Sequence, residues 1–352
     1  MTTPPHPTPP PLKLDVGTGA SPGAADAAIT AEQRGVDRVL VPETAQDPFQ
    51  LLAVAASRTS RIELATGVAI AFARTPMTLA SSAWTLQQIS GGRAVIGLGS
   101  QVKAHITRRF AMPWSQPAAR MQEFVAATRA VWHSWQTGEK LDFQGEFYRH
   151  NLMNPLFDPG PVAQGPPLVL VAAVGPRMAA AAGAVGDGVI CHPFSTVPYV
   201  AAQLAPRVLA ARAEAEAARA PWTGRPFEIA GNVLVATGRT EAEYEHGLAG
   251  IRERIAFYGS TPAYRGVLEH HGWGALQEEL RTLSLAGRWE EMGRLVDDDV
   301  LNAFAVVAES PAAAGKLIRE RSTGVYDRVS VSLAAGADPD LALDVLDGVR
   351  NG

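Results

Sequence analysis

A single cysteine in 352 residues leaves Cys191 without a covalent partner, which excludes a disulfide framework and any cysteine-rich zinc site. Charge is also sparse. Acidic and basic residues together make up 19% of the chain, the formal net charge is -4, and no basic face is evident for nucleic acid. No apolar run approaches the ~20 residues that a membrane helix requires. A G-x-S-x-G elbow, a P-loop and H-E-x-x-H are all missing, so hydrolase and kinase readings find no support. These absences lead to the expectation of a soluble cytoplasmic protein that acts on a small molecule, with neither nucleic acid nor membrane as partner. The opening stretch, residues 1–11, is rich in threonine and proline and has no apolar core of the secretory type; a disordered arm is expected there.

What is present is a large apolar fraction, 47%, with abundant alanine and glycine suited to close helix-on-strand packing. Short apolar runs alternate with amphipathic stretches. Strands are expected at 12–16, 38–41, 62–70, 94–98, 168–172, 188–191, 228–236 and 326–331. Asp47-Pro48 and Thr75-Pro76 each supply a helix cap followed by proline at the first helical position. Met121, Phe124, Val125, Thr128, Val131, Trp132 and Trp135 recur at three- and four-residue spacing, on one face of a long helix. Eight strands, each followed by a helix, fit an α/β (β/α)8 TIM barrel better than an open sheet. The barrel is expected to be one domain over 12–352. Insertions follow strand four (136–166, with a hairpin over 141–148) and strand seven (241–322, helical, a lid over the pocket).

Several motifs need a functional and a plainer reading side by side. Gly17-Thr18-Gly19 after the first strand has Pro22 where a dinucleotide fingerprint needs its third glycine, and the following βα units lack the expected crossover. Gly97-Leu98-Gly99-Ser100 closes strand four; it is either a tight turn or a place where backbone meets a ligand. Glu43, at the end of strand two, is either a solvated carboxylate or a group that binds or polarises a ring. Cys191 and His192 are neighbours on strand six and must point to opposite faces, so His192 can reach the barrel mouth while Cys191 packs. His105 follows the glycine turn and is a similar candidate. His270-His271 lacks a third ligand at metal spacing and is expected on a helix surface; no metal is expected.

The stretch Arg74 to Arg120, RTPMTLASSAWTLQQISGGRAVIGLGSQVKAHITRRFAMPWSQPAAR, resembles the luciferase-like monooxygenase superfamily in its R-x-P helix start, its S-G-G-R helix end and its G-L-G strand. GPRMAAAAGAVGDGVIC, Gly175 to Cys191, is similar to that superfamily's G-P-x-x-A-x-x-A-G-x-x-G-D-G pattern. RIAFYGSTPAYRGVLEHHGW, Arg254 to Trp273, resembles its branch of F420-dependent oxidoreductases. The resemblance implies a bacterial-luciferase-like barrel whose strand tips hold an isoalloxazine-like ring, and coenzyme F420 as cofactor. Reduced FMN with oxygen insertion is the alternative, and a flavin-binding barrel without catalysis a second.

Residue by residue, the resemblance places a bulge with a non-proline cis peptide at Gly67-Val68, behind the ring. Glu43 falls on an acidic cofactor contact. Gly99, Ser100, Ala173 and Gly175 fall among the residues around the ring or its phosphate chain, and Gly97, Cys191 and His192 at the same strand ends are expected as further cofactor contacts. A phosphate at Pro176 would meet free N–H groups of a helix start. Thr44 stands where several relatives carry a catalytic histidine, and Val102 where sugar-phosphate dehydrogenases carry a glutamate, which argues against sugar-phosphate oxidation. The proton donor is then sought among Glu43, His105 and His192. Tyr258, Tyr264 and Trp273 are expected as apolar pocket walls or as core of the insertion, and relatives of this type form homodimers through barrel helices.

Overall fold

Proline sets the first residue of one helix after another, because its fixed φ suits a helix start and its missing N–H is not needed there. The computed structural model describes residues 11–218 and 226–352. The elements run β1 (Lys13–Gly17), α1 (Ala24–Gln33), β2 (Arg38–Val41), α2 (Pro48–Arg58), β3 (Glu63–Ile70), α3 (Pro76–Ile89), β4 (Ala94–Gly99) and α4 (Pro117–Thr137). Then follow β5 (Phe143–Gln144), β6 (Arg149–His150), β7 (Leu168–Ala173), α5 (Pro176–Val185), β8 (Gly188–Cys191), α6 (Val197–Tyr199) and α7 (Ala205–Ala217). The remainder is β9 (Glu228–Ala236), α8 (Glu241–Gly259), α9 (Arg265–His270), α10 (Gly274–Leu285), α11 (Trp289–Arg294), α12 (Asp298–Phe304), β10 (Ala305–Val307), α13 (Pro311–Ser322), β11 (Arg328–Ser332) and α14 (Pro339–Asn351). The fold class is (β/α)8, carried by β1, β2, β3, β4, β7, β8, β9 and β11. The arm expected over 1–11 lies, apart from Pro11, outside the described residues.

The described residues fall into two compact units: residues 15–192 with 201–218 and 226–227, and residues 11–14, 193–200 and 228–352. In the first, β1, β2, β3, β4, β7 and β8 pair in parallel in that order. Ala65, Val95 and Leu170 form its buried strand core, with Leu40, Leu168 and Ile190 packed on them. Arg38, fully buried at the start of β2, donates to Glu63 at 2.9 Å and lies 3.9 Å from Asp15, so three strands share one ion cluster at their amino ends. The hairpin of the first insertion pairs Phe143 with His150, two residues later than expected.

In the second unit β9 lies between β10 and β11, both parallel to it. Arg328, buried at the start of β11, pairs with Glu228 at 3.0 Å. The stretch 241–322 is not helical throughout. Its last part returns to the sheet as β10, with Ala305 opposite Leu234, and α13 is the helix that precedes β11.

Candidate active site

The parallel ladder between β3 and β4 is regular from Leu64 to Thr66 and then loses register, resuming only at Ala69 opposite Leu98. The bulge falls on Gly67 and Val68, and the peptide bond between them is cis, as the resemblance implies. Ala65, Thr66, Ala69 and Ile70 on either side are buried, whereas Gly67 and Val68 keep surface. Close approach fixes the residue types. A Cβ on Gly67 would stand 2.8 Å from Leu40 Cβ, and one on Gly97 would stand 2.2 Å from the Thr66 carbonyl oxygen. On Gly99 it would meet Val68 Cγ2 at 2.7 Å. The glycines of β4 therefore make room for the bulge, and Gly97 and Gly99 are buried there.

Val68 is anchored from the neighbouring strand, its carbonyl accepting from the Glu43 amide at 3.2 Å. The Glu43 side chain is engaged as well. Its Oε2 accepts from the Ile70 amide at 2.6 Å and from Arg74 Nη1 at 2.6 Å, and its Oε1 accepts from Arg74 Nη2 at 3.0 Å. Arg74 also reaches Asp47 Oδ2 at 3.3 Å, while Asp47 Oδ1 caps α2 through the Phe49 amide at 2.8 Å. Both carboxylate oxygens of Glu43 are thus spent on fixing the ends of β2 and β3. That geometry suits a positioning residue rather than the proton donor considered from sequence. Arg74 is the partner that sequence reasoning missed, although it opens the R-x-P motif.

At β7 and β8 the structure selects among the candidates. Ala173 and Cys191 lie opposite one another in the ladder and are buried. Burial pushes the Cys191 thiol up to about 12, leaving it protonated. His192 keeps part of its surface, and burial pulls its imidazole down to about 4, so it is neutral at pH 7. Gly175 ends β7's loop as the N-cap of α5, with no side-chain cap and open space where its Cβ would be. Arg177, in the first turn, is exposed and has no ion pair among the described residues. Ser100 is half-buried and donates to the Gln101 carbonyl at 3.2 Å; His105 is exposed. The accessible candidates at the carboxyl ends of these strands are therefore Glu43, Gly67, Val68, Ser100, Gly175 and His192.

The family model for luciferase-like monooxygenases matches residues 9–327. The chain belongs to the luciferase-like monooxygenase family. It is accordingly an oxidoreductase. It is 48% identical to an uncharacterised protein of Mycobacterium tuberculosis over 90% of this chain and 92% of that one. It is 25% identical to the 5,10-methylenetetrahydromethanopterin reductase of Archaeoglobus fulgidus, over 90% and 91%. Among solved structures, the coenzyme F420 dependent tetrahydromethanopterin reductase of Methanopyrus kandleri superposes with a TM-score of 0.75 at 21% identity, covering 96% of this chain and 97% of that one; the likeness establishes the fold.

In this luciferase-like chain the aromatic residues of the second insertion pack on one another. Phe194 stacks on Phe304 at 4.4 Å between centroids and meets Tyr258 and Tyr264 at 6.2 and 5.9 Å. Burial raises both tyrosine hydroxyls, Tyr264 to about 12. Trp273 stacks on His271 at 4.9 Å, and the His271 ring is 2.8 Å from the Thr196 hydroxyl. The structure corrects the surface reading of that histidine: it is half-buried and pinned, and its pKa is lowered by burial and by His270. Tyr258, Tyr264 and Trp273 are each half-buried within this aromatic cluster of their own unit.

Proposed function

We propose that this luciferase-like oxidoreductase binds coenzyme F420 at the carboxyl ends of β2, β3, β4, β7 and β8 and transfers hydride between it and a small organic substrate. The observation that carries the reading is the bulge at Gly67-Val68, the one break in the β3–β4 ladder, which leaves an apolar accessible step at the strand tips. The residues present fit such a group. Val68, braced against Gly99 and held through its carbonyl by Glu43, supplies a flat apolar support for one ring face. The uncapped start of α5, with open space at Gly175 and the exposed Arg177, suits the phosphate of the cofactor's side chain. The likeness to the Methanopyrus coenzyme F420 dependent reductase supports this reading.

Once bound, the deazaflavin would supply the hydride chemistry, and the protein orients it and excludes water. The Glu43–Arg74 pair keeps the bulge in place. His192, neutral at working pH because burial disfavours its charged ring, would serve as a hydrogen-bond partner. The test is titration of the purified protein with F420 and with FMN, followed by anaerobic hydride transfer to a panel of enones, imines and ketones. Selective F420 binding with oxygen-independent turnover is the expected result. Tight FMN binding with oxygen-dependent turnover would replace the reading by monooxygenation, and no redox change with either cofactor would point to a non-catalytic barrel.

A further inference from the structure

The loop after β4 carries charge that the fold does not use. No acidic residue occurs between Glu63 and Glu123, while Lys103, Arg108 and Arg109 lie within seven residues of one another. Lys103 and Arg108 are exposed and have no ion pair among the described residues. Arg109 makes neutral contacts: Nη2 donates to the Thr44 carbonyl at 2.6 Å, and its guanidinium lies 4.8 Å from the Phe110 ring centre. The Thr44 contact ties this loop to the residue beside Glu43, at the strand tips. The acids there are already engaged, since Glu43 and Asp47 both face Arg74. Three cations thus stand with no matching anions at the mouth of a chain whose net charge is -4.

The backbone of the same loop is unusual. Among the described residues, the non-glycine residues with positive φ are Gln101 at 59°, Ala111 at 52° and Gln116 at 37°, and all lie in this segment. Between them His105–Arg109 forms a π-helical turn, closed by the Phe110 amide donating to the His105 carbonyl at 3.1 Å. Left-handed conformations cost energy in side-chain-bearing residues, and π turns concentrate where side chains are aimed for a purpose. The turn carries Arg108 and Arg109, and Lys103 stands two residues before it.

We infer that the loop 101–110 is an anion-recognition element and that the molecule bound at the strand tips carries a carboxylate or phosphate group which Lys103 and Arg108 engage. This rests on the strand tips being the binding site proposed above. The anion can belong to the substrate or to the cofactor's own side chain, and the experiment separates the two. A field of one sign at a cleft mouth also raises the rate of encounter with an anionic ligand at low salt.

The test uses the full chain and a matched probe pair, 2-naphthoate and its neutral methyl ester, with binding read from probe fluorescence. At low salt the carboxylate is expected to bind about tenfold tighter than the ester, roughly threefold from each exposed cation. In K103E/R108E that preference should vanish, with the ester's affinity and the thermal midpoint unchanged. As a measurement free of any folding effect, raising salt on the wild type from about 20 to about 300 mM should weaken the carboxylate and leave the ester alone. Equal affinities for the two probes, a preference that survives K103E/R108E, or no carboxylate binding would each overturn the inference. Saturating F420 then assigns the source. If F420 displaces the carboxylate and itself binds more weakly to K103E/R108E, the anion is the cofactor's; if both bind together, it is the substrate's. F420 binding is read separately from its own absorbance. A wild type that shows no carboxylate preference while it still binds F420 sinks this inference alone, whereas preference without F420 binding sinks only the cofactor assignment.

Discussion

Arg74 holds Glu43 in a two-pronged ion pair, Nη1 to Oε2 at 2.6 Å and Nη2 to Oε1 at 3.0 Å, at a point where both side chains are largely screened from water. A pair placed so is costly to break from one side, because the surviving guanidinium stays largely buried with only its longer 3.3 Å contact to the more exposed Asp47. Glu43→Gln is therefore expected to lower stability by about 3 kcal/mol, read from urea unfolding. The double variant E43Q/R74M should recover part of that loss, since the only charge left without its ion pair is the partly exposed Asp47. Additive losses in the double variant would mean that the two side chains do not act as a unit.

The strand–helix order was legible because its signals are local. Asp47 and Thr75 cap their helices as their Asp-Pro and Thr-Pro contexts suggest, and Thr75 with Thr78 forms a capping box. β10 was not legible: Ala305–Val307 is three residues long, too short for periodicity, and follows the apolar end of α12 without a break. At the site, the family pattern led to Gly67-Val68 but not to the purpose of Gly97 and Gly99. Their missing side chains leave room for protein neighbours, and only the fold of β3 against β4 reveals that. The cationic loop did leave a trace, the long acid-free stretch from Glu63 to Glu123, which passes unnoticed when charge is summed over the whole chain.

The two glycines of β4 should respond differently to a methyl group. Gly97→Ala drives a Cβ against the Thr66 carbonyl oxygen and Ile190 Cδ1, at 2.2 and 2.8 Å, and backbone on both sides is fixed in the ladder. A loss of about 3 kcal/mol or more is expected. Gly99→Ala meets only the Val68 side chain, at 2.7 Å, so a smaller loss of about 1–2 kcal/mol should accompany displacement of Val68. If Val68 supports the cofactor ring, G99A should also weaken F420 binding by at least about fivefold. Adding V68A to G99A should restore stability relative to G99A alone. Similar stability for G97A and wild type would contradict the close approach of β4 to β3.

The pH dependence of stability should carry the mark of His192. Its folded pKa, about 4, lies below its ordinary value of 6.5 because burial disfavours the charged ring. Between those values the unfolded chain binds the proton and the folded one does not. Stability is therefore unaffected by this group above about pH 6.5 and falls as pH drops toward 4, by roughly 3 kcal/mol in full. His150 and His271 are lowered in the same sense, but both remain in His192→Gln and cancel in the comparison. The variant should lose about 2–3 kcal/mol less than wild type between pH 7 and pH 4. Parallel stability curves for the two proteins would mean that the imidazole is more solvated than the structure indicates.

Cys191 offers the simplest check on the tip of β8. The thiol is buried to 1% exposure and burial raises it to about 12, so at pH 8 only about one molecule in ten thousand would carry a thiolate. A native sample treated with an aromatic disulfide reagent should release almost no chromophore over an hour, whereas a denatured one should release one equivalent at once. Because adjacent strand residues face opposite ways, this silence is the counterpart of an accessible His192. Rapid labelling of the folded protein would turn Cys191 outward and His192 inward, and would remove that histidine from the proposed site.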